Sequence, residues 1–213
     1  DYLGHPFMDV EHLDETTKSF YKRHSLDINS PILTLLPGSR QQEVDRHWPI
    51  YLETVKLLRK KIINLQVIIG KSTNIKLRDC PGDFKIENNA KKAMIVGKAG
   101  LVSSGTATLE CAIEGLPIVV CYKLFSLSWV IAKVLVKVKH SSIINLIMDK
   151  QVVPELLQKD MKPKFILNKL AKLFDDKSEE RKTMLTDYDK LRTLLGKPGV
   201  YNRIAQKILD KTA

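Results

Sequence analysis

The chain of 213 residues contains little of what marks several common classes of protein. It has only three cysteines, Cys80, Cys111 and Cys121, and no C-x-x-C pair. We therefore predict a reducing compartment and neither a disulfide framework nor a zinc site. No apolar run reaches the roughly 18 residues that a membrane-spanning helix needs. Dinucleotide, P-loop and nucleophile-elbow sites are disfavoured, because G-x-G-x-x-G, G-x-x-x-x-G-K-[ST] and G-x-S-x-G are missing.

Positive charge is in excess. The chain has 35 Lys and Arg against 24 Asp and Glu, a formal net charge of +11, which predicts an anionic partner rather than a particular fold. Nucleic acid, an anionic lipid surface and phosphorylated small molecules all satisfy this charge. Hydrophobic residues make up 44% of the sequence, which is enough to fill a core and excludes wholesale disorder.

The sequence is organised around residues 99–122. An apolar strand leads into a turn of small residues at 103–106, and a helix is predicted over 107–113 before a β-branched strand over 118–121. The first N–H groups of a helix have no partner inside it, and the helix dipole favours negative charge. The pattern therefore indicates an anion site. A capped helix in any α/β domain would give the same pattern.

A second unit of the same kind precedes the first. Residues 32–36 predict a buried strand, 37–40 form a Pro-Gly-Ser-Arg turn, and the apolar periodicity over 43–61 predicts a helix. Two more strands are predicted, one over 65–69 and one at the edge of the sheet over 84–86.

Strands that alternate with helices predict an α/β fold with a Rossmann-like parallel sheet flanked by helices. We expect three regions: a linker and first helix over 1–30, a Rossmann-like domain over 31–160, and C-terminal helices over 161–213. Residues 153–158 are predicted to start a helix, because Pro154 suits its first turn. The C-terminal helices are predicted over 163–175, 178–195 and 200–212.

Both special turns follow strands and precede helices. They should therefore open at the carboxyl edge of the sheet, where ligands of such sheets bind. Arg40 and the turn amides would hold phosphate oxygens there, and Glu110 would accept hydrogen bonds from ribose hydroxyls. This set suits a nucleoside diphosphate. The competing interpretations are a surface cation for Arg40 and a surface helix acid for Glu110.

Residues 123–140, KLFSLSWVIAKVLVKVKH, are rich in apolar and basic residues and lack acidic ones. As a helix, this segment would either be half-buried, with its lysine ammonium groups reaching water, or form a patch that touches an anionic membrane surface. Both interpretations are open from the residues alone.

Several motifs occur in a specific order along the chain. They are LGHP at 3–6, LLPGSRQQEV at 35–44, SGTATLE at 104–110, VVCYK at 119–123, INL at 144–146 and VPELLQ at 153–158. In these motifs, and in their order and spacing over nearly the whole chain, the sequence resembles the lipid-A-disaccharide synthase family.

The resemblance implies a glycosyltransferase of the GT-B architecture, in which two Rossmann-like halves face each other across a cleft. This chain would be the carboxyl-terminal half of a longer protein and would bind the nucleotide-sugar donor. The family joins UDP-2,3-diacylglucosamine to 2,3-diacylglucosamine 1-phosphate, a lipid X-type acceptor, with inversion and release of UDP. The general base would lie in an amino-terminal acceptor domain missing from this chain, which alone would be inactive. No metal or other cofactor is expected.

The resemblance also implies roles for individual residues. Arg40 would stabilise the leaving diphosphate, and Gly105 and Thr106 would donate backbone N–H groups to phosphate. Tyr122 and Lys123 would lie near the uracil base of the nucleotide. The full set expected to bind the UDP-sugar is Gly38, Ser39, Arg40, Ser104, Gly105, Thr106, Glu110, Tyr122, Lys123, Asn145, Glu155 and Gln158. The expected location is the cytoplasm, peripherally on the anionic inner face of the cytoplasmic membrane, and a homodimer is left open.

Two other interpretations remain open. One is a different UDP-sugar enzyme of GT-B type, such as a 2-epimerase or a transferase acting on a peptidoglycan precursor. The other is a non-catalytic basic module that binds nucleic acid or another polyanion. Against that module, aromatic residues make up only 7% of the chain and the lysines are spread through helices. We therefore expect no nucleic-acid partner.

Overall fold

In the described part of the chain, six parallel strands form one sheet. The structure, a computed structural model, describes residues 1–9, 15–72, 74–123 and 140–212. The strands are β1 (Ile32–Leu36), β2 (Gln66–Gly70), β3 (Lys85–Glu87), β4 (Ala99–Ser103), β5 (Ile118–Tyr122) and β6 (Glu155–Leu157). The first five confirm the predicted strands, and β3 lies at the sheet edge as expected.

Helices connect and cover these strands. They are α1 (Thr17–Arg23), α2 (Gln41–Arg59), α3 (Ala90–Val96), α4 (Thr106–Ile113), α5 (Ile143–Met148), α6 (Pro163–Phe174), α7 (Glu179–Leu195) and α8 (Val200–Thr212). Short 3₁₀ turns form at Pro6–Met8 and Gln158–Asp160. The predicted α/β fold with a Rossmann-like parallel sheet is confirmed.

The strand order is β3-β2-β1-β4-β5-β6, so the chain starts in the middle of the sheet, builds outward to β3 and then returns to β4 beside β1. Right-handed crossovers place α2 and α4 on opposite faces, because the strand order advances in opposite directions through them. The order reverses between β1 and β4. In sheets of this kind, ligands bind in the crevice at that reversal.

The strands are buried because helices cover both faces of the sheet. Every residue of β1 and of β4 is buried, as their near-continuous apolar sequences require. Helix α2 turns one side toward the core through Val44, Trp48, Tyr51, Val55 and Leu58, which follow a helical spacing. Helix α6 packs on α2 and also contacts β4 and β5.

The prediction of a helix start at residues 153–158 is wrong. Residues Glu155–Leu157 instead form β6, which pairs with β5 in parallel, and the Val120 N–H donates to the Pro154 carbonyl at 2.9 Å. An N–H-free proline is tolerated at the start of an edge strand as readily as in a first helical turn. Pairing with the exposed edge of β5 decided between the two, and the local sequence does not contain that information.

The N-terminal segment is fastened to the C-terminal helix. The carboxylate of Asp9 accepts hydrogen bonds from the backbone N–H groups of Val200 (2.9 Å) and Tyr201 (2.8 Å), and so caps the start of α8. These N–H groups lower the pKa of the Asp9 carboxyl. The predicted regional boundaries at residues 30 and 160 stay predictions.

The predicted membrane-contacting segment, 123–140, falls almost entirely outside the described residues. Within those that are described, no helix is both long enough and apolar enough to cross a bilayer.

A substitution next to the central strands tests the packing. Gly97 lies between α3 and β4, and a Cβ atom there would lie 2.9 Å from Leu116 Cδ1 and closer still to Thr34 Oγ1. The Thr34 hydroxyl cannot move freely, since it donates to the Ala93 carbonyl at 2.7 Å. We expect Gly97→Ala to lower the free energy of unfolding by about 1–3 kcal/mol, as overpacking does.

Chemical denaturation measures this change. Gly82→Ala is the matched control, because nothing lies within 4 Å of a Cβ atom at that position. Its free energy of unfolding should stay within about 0.5 kcal/mol of the parent value, as at other surface sites. Equal stability of the two variants would contradict the close packing described at Gly97.

Candidate nucleotide-binding site

A cavity of about 420 Å³ opens at the carboxyl ends of β1 and β4, where the strand order reverses. The turns after these two strands line it, together with residues that follow β2 and β3. The lining residues are Leu36, Gly38, Ser39, Arg40, Glu43, Gly70, Lys71, Ser72, Asn88, Ala90, Ser103, Ser104, Gly105, Thr106, Ala107 and Tyr122. The structure thus brings Arg40 and Thr106 to one cavity at one edge of the sheet.

The turn after β1 places Gly38, Ser39 and Arg40 at the cavity wall. Gly38 has φ +119°, a backbone conformation that residues other than glycine rarely adopt. A Cβ atom there would lie 3.3 Å from Glu43 Oε2. Helix α2 follows directly, with Arg40 in the N-cap position and no side chain capping the helix. Its first N–H groups are therefore directed to this side of the cavity.

The turn after β4 is built in the same way. Gly105 has φ +153° and is the N-cap residue of α4, which no side chain caps. Gly105 and Thr106 are exposed, whereas the Ser104 hydroxyl is engaged, donating to the Ser141 carbonyl at 3.1 Å. The uncapped N-terminus of α4 and that of α2 both carry partial positive charge, and both border the cavity. This arrangement favours an anion between the two turns.

Arg40 is available to a ligand but already has a partner. Its side chain is 79% exposed, and its Nη1 lies 3.1 Å from Glu43 Oε1. The same carboxylate oxygen accepts a hydrogen bond from the Tyr122 hydroxyl at 3.2 Å. Burial raises the pKa of the Tyr122 phenol, and the Glu43 carboxylate raises it further. Glu43 therefore orients both side chains on this wall of the cavity.

Glu110 lies outside this cavity. It lines a second, open cavity of about 800 Å³ between α3, α4 and the N-terminal segment. Asn88 and Ala90 line both cavities, so the two adjoin. Burial raises the pKa of the Glu110 carboxyl, with Lys91 opposing and Glu114 adding to the shift. Its carboxylate is therefore partly desolvated and placed beside the first cavity.

Asn145 and Glu155 do not line the cavity and hold a loop together instead. The Asn145 Oδ1 accepts from the N–H groups of Val152 (2.8 Å) and Val153 (2.9 Å), and its Nδ2 donates to Glu155 Oε1 at 2.7 Å. The Glu155 carboxylate also accepts from the N–H of Ser142 at 2.9 Å. Burial raises the pKa of Glu155, but the backbone donors outweigh it and hold the pKa below its usual value.

Two further predicted site residues lie at the same edge of the sheet without lining the cavity. Lys123 follows β5, with an exposed side chain and a backbone N–H that donates to His47 Nε2 at 3.1 Å. Gln158 follows β6 with φ +49°, and its Nε2 is buried without a hydrogen-bond partner in the described residues. Their predicted contacts with a donor stay predictions.

Sequence reasoning missed Glu43, His47, Asn88 and the residues after β2. It placed Ser103 in the predicted turn but did not name it as a site residue. His47 is fully buried behind the cavity, and its Nδ1 lies 2.8 Å from Ser103 Oγ. The signal for His47 was present, because it shares the inward face of α2 with Val44 and Tyr51. Residues that follow β2 were predictable from the same edge rule once β2 was placed beside β1.

Comparison with known proteins identifies the family. A sequence profile of the family described as lipid-A-disaccharide synthetase matches residues 1–209. The chain belongs to this family. The lipid-A-disaccharide synthases of Solibacter usitatus and Chromobacterium violaceum are 31% and 33% identical to it, each over 98% of this chain. The chain spans 57% and 56% of the lengths of these two curated relatives.

Solved glycosyltransferase structures share the fold of this family member. Spinosyn rhamnosyltransferase SpnG complexed with thymidine diphosphate matches with a TM-score of 0.59 at 10% identity, over 94% of this chain and 54% of that one. Calicheamicin glycosyltransferase CalG4 matches with a TM-score of 0.55 at 14% identity, over 86% of this chain and 43% of that one. The sheet and its helices thus have the architecture of one half of a GT-B glycosyltransferase.

Proposed function

We propose that this chain binds the nucleotide-sugar donor of an inverting glycosyl transfer. In the proposed reaction, UDP-2,3-diacylglucosamine reacts with 2,3-diacylglucosamine 1-phosphate to give a β-1′,6-linked lipid A disaccharide and UDP. The proposal rests on one observation: Arg40 and two uncapped helix N-termini border the same cavity. Membership of the lipid-A-disaccharide synthase family supports the choice of substrates.

The geometry suggests how the donor would lie. Its diphosphate would occupy the cavity between the two turns, where the guanidinium of Arg40 and the N–H groups at Gly105 and Thr106 would stabilise developing negative charge. Its ribose would extend toward Glu110 in the adjoining cavity. Tyr122 lies on the same wall of the cavity as Arg40, so we propose that it lies near the uracil base of the donor.

Catalysis in this proposal is leaving-group stabilisation. As the bond from the anomeric carbon to the diphosphate breaks, Arg40 and the two helix N-termini would stabilise the charge on the departing UDP. We propose that the general base for the acceptor hydroxyl and the acceptor site lie outside these 213 residues. No metal is required in this proposal, since the charge on the diphosphate is met by side-chain and backbone donors.

Thermal unfolding in the presence of UDP tests the proposal. At a UDP concentration about 100 times the dissociation constant, binding should add about 2.7 kcal/mol to stability, or roughly 5–11 °C in Tm. UMP should give a smaller shift because it lacks the second phosphate. A salt-dependent shift with RNA or DNA, without any shift with UDP, would instead favour the polyanion-binding module.

The identity of the sugar is tested separately. Isothermal titration measures the affinity of the chain for two donors. UDP-2,3-diacylglucosamine carries the two acyl chains of the proposed substrate, and UDP-N-acetylglucosamine lacks them. Tighter binding of the acylated donor supports the lipid A assignment. Equal affinities would favour another UDP-sugar enzyme of the same fold.

The proposed location is the cytoplasmic face of the membrane. The net charge of +11 favours an anionic lipid surface. Flotation with vesicles that contain anionic lipid, at low and at physiological salt, measures this association. Absence of binding at low salt would count against it.

A further inference from the structure

His47 connects the ends of three strands beneath the candidate site. It is fully buried on α2, and its imidazole faces Pro37 after β1, Ser103 at the end of β4 and Lys123 after β5. Its Nδ1 lies 2.8 Å from Ser103 Oγ, and its Nε2 accepts from the Lys123 N–H at 3.1 Å. The Ser103 hydroxyl in turn donates to the Pro37 carbonyl at 2.6 Å.

These bonds assign the proton on the imidazole. A backbone N–H can only donate, so Nε2 must be the unprotonated nitrogen that accepts from Lys123. Ser103 uses its only proton toward Pro37, and its oxygen is therefore free to accept the proton on Nδ1. The neutral tautomer with hydrogen on Nδ1 satisfies all three partners at once. A doubly protonated ring could no longer accept from Lys123.

The connected residues are those that lead into the cavity walls. Pro37 directly precedes Gly38, Ser103 directly precedes Ser104, and Ser103 itself lines the cavity. The register of β1 and β4 pairs Leu36 with Val102, so Pro37, just after β1, and Ser103, the last residue of β4, are the next residues along the two segments. The separation of the two turns is thus fixed where His47 and Ser103 join them.

We propose that His47 is a positioning residue that holds the two phosphate-binding turns at the separation a nucleoside diphosphate requires, through its neutral, Nδ1-protonated imidazole. This inference rests on the proposed function for the role of the turns. His47 touches no ligand in this scheme and acts through Ser103 and the backbone of residues 37 and 123.

The charged surroundings give the proposal a pH dependence. Burial lowers the pKa of His47 below its ordinary value of 6.5; the Pro37 carbonyl and the Glu43 carboxylate oppose this, and Arg46 adds to it. Glu43 and Arg46 lie on the same helix, and the Tyr122 ring faces His47 from β5 at 5.8 Å. Folding lowers the pKa of His47 and so favours the neutral ring. The contribution of His47 to the free energy of unfolding is therefore complete above pH 6.5 and decreases as the pH falls below it.

Three substitutions separate the two hydrogen bonds. In His47→Asn the amide nitrogen can take the place of Nδ1 and donate to Ser103. In His47→Gln the amide oxygen can take the place of Nε2 and accept from Lys123, and His47→Ala loses both bonds. Thr54→Val is the matched control, since Thr54 is also fully buried on α2 but donates to the Ile50 carbonyl of its own helix.

UDP affinity, measured by isothermal titration of the 213-residue chain, should fall on the order of tenfold in His47→Ala. The Asn and Gln variants should recover part of that loss, and Thr54→Val should bind as the parent does. As the pH falls below 6.5 and the imidazole gains its second proton, the parent should lose more affinity than His47→Gln. Titration of the diphosphate itself is shared by both proteins and cancels in this comparison.

A second measurement does not depend on UDP. In ¹⁵N NMR spectra of the parent at pH 7, His47 should carry its proton on Nδ1, and His47→Ala should shift the amide signals of Gly38, Ser104 and Lys123. A proton on Nε2, or unshifted amides, would overturn the proposal. So would UDP affinities and pH profiles equal to those of the parent in folded His47 variants. Failure of the parent to bind UDP would refute the proposed function instead, and the NMR result would then decide the His47 proposal.

Discussion

Replacing Arg40 by alanine should weaken the binding of UDP by roughly 10- to 100-fold, which corresponds to the loss of about 1.5–3 kcal/mol for a charge-assisted hydrogen bond. Arg40 is the cationic side chain at the junction of the β1 turn and the start of α2, and it lines the cavity beside both helix N-termini. Most of the increase in Tm that UDP gives to the parent chain should therefore disappear in Arg40→Ala.

The loss has two sources that can be separated. Arg40→Ala removes the cation and also leaves the Glu43 carboxylate in the cavity without its guanidinium partner, which sits 3.1 Å away in the parent. That carboxylate would then repel the diphosphate. The double variant Arg40→Ala/Glu43→Gln should recover the part of the loss that comes from this repulsion, and Arg40→Lys should keep the charge without the planar fork.

Lys56→Ala is the matched control for Arg40→Ala. Lys56 lies on the same helix, its side chain is 75% exposed, and its removal changes the net charge by the same amount. Isothermal titration should show parent-like UDP affinity for Lys56→Ala. Unchanged affinity in Arg40→Ala would refute the role proposed for Arg40 and leave the helix N-termini and Lys71, which also lines the cavity, as the remaining candidates.

Replacing Asn145 by alanine should have a large effect of a different kind, a loss of stability without any ligand. The buried side chain accepts from two backbone N–H groups and donates to the Val153 carbonyl and to Glu155. The substitution removes four hydrogen bonds at once. It leaves the Val153 N–H and carbonyl without this partner, whereas the Val152 N–H keeps the Lys150 carbonyl and Glu155 keeps the Ser142 N–H. We expect a cost of about 3–4 kcal/mol, or roughly 6–16 °C in Tm.

Differential scanning calorimetry in the absence of nucleotide measures this effect. Asn168→Ala provides the control, because Asn168 is an exposed asparagine on α6. If Asn145→Ala unfolds at the parent Tm but loses UDP affinity, Asn145 acts on the ligand as the sequence resemblance implies. A lowered Tm identifies it as a residue that holds the loop between α5 and β6.

The candidate site was predictable from the sequence where its residues belong to the two turns. Gly38, Arg40 and Gly105 follow strands and precede helices, and Thr106 is the first residue of α4. That local pattern is sufficient to place them at one edge of a parallel sheet. Glu110 was correctly placed on a helix, but its position in an adjoining cavity depends on how α4 packs near α3. A single helical turn does not determine which cavity a side chain lines.

Sequence reasoning was weakest for buried polar residues. His47 and Asn145 occupy positions that an apolar residue could also fill, and their roles depend on partners distant in the chain, such as Ser103 for His47. The residue type alone indicates neither the partner nor the buried hydrogen bond. The same limit explains β6, whose residues fit a helix start until the edge of β5 is available for pairing.

The sequence by itself determined the alternation of strands and helices, the chemistry of the two turns and the family. These follow from hydrophobic period, turn residues and motif order, which are properties of neighbouring residues. Only the tertiary structure decided that β1 lies beside β4, that Leu36 pairs with Val102, and that His47 lies beneath both turns. Strand order and register depend on contacts between segments far apart in the chain. Those contacts form the cavity that the two turns share.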